Sequence, residues 1–88
     1  SRLVTYSRCL GWDDKFLYTE QSMWKGDDCA SQVLIRSAVV SKAGIVPPVE
    51  LAKAAGVSTL SPELPDWVNA WIAAEATRPW PPERLPRT

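Results

Sequence analysis

The chain has 88 residues, no histidine, two cysteines, and ten basic side chains against ten acidic ones. Without histidine it can assemble no Ser-His or Cys-His nucleophile and no HExxH or Cys₂His₂ zinc site, and two cysteines cannot complete a four-ligand metal centre. A neutral net charge gives no basic footprint for nucleic acid, so any chemistry falls to carboxylates, hydroxyls, backbone amides, lysine and arginine.

Residues Arg2 to Leu10 carry Leu3, Val4, Thr5, Tyr6 and Cys9, a β-rich run that stops at the turn-forming stretch Gly11-Trp12-Asp13-Asp14-Lys15. The next run, Phe16 to Trp24, alternates Phe16, Tyr18, Glu20, Ser22 and Trp24 with Leu17, Thr19, Gln21 and Met23. That alternation predicts a second strand, closed by a tight turn at Lys25-Gly26-Asp27-Asp28. A third run from Cys29 to about Val40 is long enough for strand or helix. Its Val33, Ile35, Val39 and Val40, and its place after a hairpin turn, favour strand. The three predict an antiparallel meander with apolar residues on both faces of the third strand, so each face needs a cover.

Two short helices follow. Pro47-Pro48 before Val49 to Ala55, closed by Gly56, has proline at the start and glycine at the end. Pro65 through Ala76 places Asp66 in a first turn and an apolar stripe at Trp67, Val68, Trp71 and Ile72, with a stop at Arg78-Pro79. Trp67 and Trp71, one turn apart, are expected to anchor this helix to the sheet. Residues 77–88 are rich in proline and are expected to form an extended or disordered tail. Within it Pro79-Trp80-Pro81-Pro82-Glu83-Arg84 matches a proline-rich ligand pattern of a kind that arises often by chance. The fold class is therefore α+β, with residues 1–76 as one domain.

The meander also places the cysteines. If the first and third strands flank the second, they lie about 9–10 Å apart, beyond the roughly 7 Å that a disulfide spans, so Cys9 and Cys29 are expected as free thiols. Free thiols fit a reducing, cytoplasmic setting. The longest apolar runs are too short to cross a bilayer, and no secretion signal opens the chain. The start at Ser1, directly into a strand-like run, reads as a cut domain.

Among the acidic pairs, Asp13-Asp14 and Asp27-Asp28 fall in turns and read as turn formers rather than as catalytic dyads. Glu20 sits mid-strand with Tyr18 and Trp24 on its own face. It reads either as a partly buried carboxylate with a raised pKa or as a surface partner for Arg8 on the neighbouring strand, the second being favoured.

The stretch Gly11-Trp12-Asp13-Asp14-Lys15-Phe16-Leu17-Tyr18-Thr19-Glu20-Gln21 resembles the hot-dog-fold acyl-CoA thioesterases, in the branch related to 4-hydroxybenzoyl-CoA thioesterase. The resemblance continues through Gly26, the strand Ala30 to Arg36, Gly44-Ile45-Val46-Pro47-Pro48-Val49-Glu50-Leu51, and Ser61-Pro62-Glu63-Leu64-Pro65-Asp66-Trp67-Val68 with Trp71. It covers about residues 1–76 and corresponds to the carboxy-terminal part of that fold.

The resemblance implies hydrolysis of an acyl-CoA substrate without a cofactor. It places the catalytic carboxylate and the long central helix upstream of these residues, so no residue here inherits the catalytic role. Lys15 matches the basic position of a hairpin that helps hold the coenzyme A phosphates. The residues themselves equally allow a solvated turn lysine paired with Asp13 and Asp14. The resemblance further implies a homo-oligomer or a complementing amino-terminal chain, with neither nucleic acid nor membrane as partner. The alternative is a non-catalytic or degenerate thioesterase-like module that binds acyl groups or protein.

Overall fold

Alternating side chains and two tight turns produce the expected meander. The computed structural model describes residues 2–86 and begins with three strands, β1 (Leu3–Trp12), β2 (Leu17–Lys25) and β3 (Asp28–Ser37), paired antiparallel in that order. Arg8 lies opposite Glu20, and Tyr18 lies opposite Arg36. A bulge between Cys9 and Gly11 leaves Leu10 as the extra residue, and pairing then resumes, Gly11 with Tyr18 and Trp12 with Leu17. The first strand thus takes in two residues that the sequence assigns to the turn.

The third strand is shorter than predicted. It ends at Ser37, which pairs with Leu17, the first residue of β2, so beyond it β2 offers no further backbone partner. Val39 and Val40 find theirs elsewhere: β4 (Val39–Ser41) pairs with β5 (Gly44–Val46) as a separate two-stranded hairpin, which the sequence reading missed.

The helix α1 (Pro48–Ala55) starts with proline in its first turn and ends at Gly56, whose left-handed φ of 72° suits glycine. There the Gly56 amide donates to Lys53 O at 3.1 Å and the Val57 amide to Ala52 O at 3.0 Å, the paired bonds of a Schellman ending. The helix α2 (Asp66–Glu75) follows Pro65 and sets Asp66 near its positive end. Both helices match the sequence reading to within a residue or so at each end, and the chain is α+β: an antiparallel three-stranded meander followed by two helices.

The core is small and sits at one end of the sheet. Leu10, Tyr18 and Val68 are buried together, with Phe16, Leu64, Trp71 and Ile72 packed around them. The rest of the sheet stays open on both faces. Val4, Tyr6 and Leu34 are exposed on one side, Leu3 and Val33 on the other. The radius of gyration is 16.2 Å, against about 12 Å for a compact chain of this length. The accessible surface of 7157 Å² exceeds by about 2,000 Å² that of a compact monomer of equal mass.

Candidate functional site

The loop between β1 and β2 is organised by one carboxylate. Asp13 Oδ1 accepts the backbone N–H groups of Lys15 at 2.9 Å and Phe16 at 2.8 Å, while the Asp13 amide donates to Phe16 O at 3.0 Å. Its other oxygen, Oδ2, accepts the Tyr18 hydroxyl at 2.7 Å. Burial works against the Asp13 charge, but the bonds from Tyr18, Lys15 and Phe16, helped by the Arg36 charge, outweigh it and hold the carboxyl below its usual range. Burial, followed by the bond and charge of Asp13, pushes the Tyr18 phenol well above its ordinary value.

Lys15 is exposed, and its ammonium forms no ion pair among the described residues. Asp13 does not pair with it, because that carboxylate is turned inward onto the loop amides and Tyr18. Asp14 stays exposed beside it. Asp27 lies in the turn before β3 and Asp28 opens the strand, in keeping with a turn-forming role.

Glu20 is the partner of Arg8. Arg8 Nε donates to Oε1 at 2.9 Å, and Gln32 Nε2 donates to Oε2 at 2.8 Å, so both carboxylate oxygens are engaged across the sheet. Tyr6, Arg8, Glu20, Ser22 and Trp24 form a shallow groove on that open face. The thiols of Cys9 and Cys29 are free and exposed.

The two helix tryptophans do not act together. Trp71 meets the Tyr18 ring edge-on, with centroids 5.4 Å apart and planes at 76°, and so ties α2 to the sheet. Trp67 remains 42% exposed, and fully buried Val68 takes the place in the core that the stripe assigned to it.

Beyond Trp71 lies a cavity of about 370 Å³, lined by Phe16, Arg36, Ile45, Glu75, Arg78, Pro79 and Trp80. The Arg36 guanidinium stacks 4.2 Å above the Phe16 ring centre, and its Nη2 lies 3.3 Å from Glu75 Oε2. Arg78 Nε donates to the same oxygen at 2.6 Å, and Trp71 Nε1 donates to Oε1 at 3.1 Å. The Arg78 bond, opposed by burial and aided by Trp71 and the two arginine charges, holds the Glu75 carboxyl below its ordinary pKa.

Sequence reasoning missed Arg36, Glu75 and Arg78. Two signals pointed to them: a charged residue directly after the apolar run Val33-Leu34-Ile35, and an acid-base pair three residues apart at the end of a helix. The described part of the tail, through Pro86, has neither helix nor strand, and Pro79 and Trp80 form one wall of the cavity. The end of the predicted tail, residues 87 and 88, lies outside the described residues. No helix among the described residues is long and apolar enough to cross a membrane. Comparison with family models, with curated proteins and with solved structures found no match.

Proposed function

We propose that the chain is the sheet-bearing part of a hot-dog-type acyl-CoA thioesterase. The observation that carries this reading is the open meander. A sheet with apolar residues exposed on both faces, in a chain whose whole surface exceeds that of a compact monomer by about 2,000 Å², suits a cover of further protein, whether a second copy or a complementing chain.

In this reading the chain supplies the sheet, a pocket wall and the loop of residues 13–16. Asp13 closes that loop from inside and leaves Lys15 as an outward cation, suited as a point charge to a coenzyme A phosphate. A carboxylate from outside these residues either activates water against the thioester carbonyl or attacks it to give an anhydride that water then hydrolyses; backbone amides hold the oxyanion, the C–S bond breaks, and the thiol leaves with a proton that comes from the water.

A second reading rests on a separate observation. The carboxylates that line the cavity and the sheet groove are already engaged, Glu75 by Arg36, Arg78 and Trp71, and Glu20 by Arg8 and Gln32. An acyl- or protein-binding module without turnover needs no free base and fits that arrangement.

The experiment is to purify the assembly through a tag on this chain and measure acyl-CoA binding together with thiol release. Release that weakens in Lys15→Ala supports the enzyme. Saturable binding without release supports the acyl-binding module, and neither binding nor release overturns the enzyme and the acyl-binding readings alike.

A further inference from the structure

The cavity behind Trp71 sets two guanidinium groups against one carboxylate. Glu75 Oε2 is shared by Arg36 Nη2 and Arg78 Nε, and the Arg36 charge also acts on Asp13, so Arg36 is drawn to two carboxylates while Arg78 has only its share of Glu75. Arg78 engages Glu75 through Nε alone. Its two terminal nitrogens, the forked end that matches a carboxylate, have no partner among the described residues.

The remaining walls are apolar. Phe16 lies under the Arg36 guanidinium, and Ile45, Pro79 and Trp80 complete the lining. Trp80 is 82% exposed, so a ligand seated here removes a large ring face from water. Apolar walls with a few convergent polar groups are the usual composition of a small-molecule site. At about 370 Å³ the space is near the lower end of the ~300–1,000 Å³ typical of such sites, which suits one compact ring system better than a long chain.

We propose that this cleft binds a small amphiphilic carboxylate, its head on the terminal nitrogens of Arg78 and its flat or branched apolar body between Ile45, Phe16 and Trp80. Glu75 keeps its bonds from Arg78 Nε and Trp71 while the ligand is bound, so entry breaks no existing pair. A cation would find the one lining carboxylate, Glu75, already held by Arg36, Arg78 and Trp71, and a neutral apolar body would leave the Arg78 fork unused. The site uses neither Lys15 nor the open sheet faces, so it stands or falls apart from the thioesterase reading.

The test is to titrate the full chain with 1-naphthoate and with its neutral analogue 1-naphthamide, following the arginine Nε–H and tryptophan indole N–H signals by NMR. The expected result is a saturable shift of the Arg78 and Trp80 signals with naphthoate. Naphthamide should bind at least ~10-fold more weakly, and Arg78→Gln should weaken naphthoate by a similar factor. Trp80→Ala changes an exposed position that the fold does not depend on, and should also weaken naphthoate. Equal affinity for naphthamide, affinity unchanged in both variants, or no saturable shift would each overturn the proposal.

Discussion

The Tyr18 hydroxyl donates a 2.7 Å hydrogen bond to Asp13 Oδ2, joining the first hairpin loop to the core of the molecule. Tyr18 is buried against Leu10 and Val68, while Asp13 holds the backbone of Lys15 and Phe16. One bond therefore couples the packing of α2 to the shape of the loop that presents Lys15.

Removing that hydroxyl should loosen both. Tyr18→Phe keeps the ring and its edge contact with Trp71 but takes a partner from a partly buried carboxylate, an expected loss of about 1–3 kcal/mol. The check is a urea transition whose midpoint falls while its slope is unchanged. An unchanged midpoint would mean that water replaces the phenol at Asp13 without cost.

The same pair gives stability a limit at each end of the pH scale. The Asp13 pKa is depressed in the fold, so the unfolded chain binds more protons in acid, and this contribution, present above ~3.9, is lost as pH falls through the folded value. The Tyr18 pKa is raised, so its contribution is complete below ~10 and is lost as pH rises beyond that, where the unfolded phenol ionises first. Melting temperatures across the scale should fall at both ends, and Tyr18→Phe should remove the alkaline loss attributable to this residue.

Val68 is fully buried in a core with few members. Truncation to alanine should cost about 2 kcal/mol, from lost apolar burial and the cavity left behind. In so thin a core that is a large share of the total. Tryptophan emission should move to the red at lower denaturant as Trp71 leaves Tyr18. A variant as stable as the parent would show that α2 is not held through this residue.

Gly11 is fixed by space as well as by conformation. Its φ of 147° is rare for other residues, and a Cβ there would lie 2.6 Å from Leu64 Cδ2 and 2.6 Å from Ser61 Oγ. Ser61 Oγ also accepts the Trp12 amide at 2.9 Å and donates to Pro62 O at 2.8 Å, so it has little freedom to withdraw. Gly11→Ala should destabilise by at least ~1–3 kcal/mol, read as a drop in melting temperature.

Much of the chain is determined locally. Proline ahead of Val49 and glycine after Ala55 bracket α1, because one removes an amide the first turn does not use and the other adopts the left-handed ending. Alternation from Leu17 to Lys25 determines β2, and with it the cross-strand meeting of Arg8 and Glu20. These features depend on a few neighbouring residues and on backbone geometry.

Tertiary structure decided the rest. Val39 and Val40 have strand character in any register, but where β2 runs out determines that they leave β3 and pair with Ile45 and Val46. Trp67 and Trp71 are equivalent by spacing, and the position of Tyr18 on the sheet determines which of them is covered. Asp13 carries the same turn propensity as Asp14, yet only the placement of a buried phenol and two amides turns it inward. Arg36 lies far along the chain from the local pair Glu75 and Arg78, and the three form a site only once α2 packs against the end of the sheet. Propensity acts over a few residues, whereas partners and cavities arise from contacts between segments far apart in the chain, whose choice depends on the whole packed arrangement.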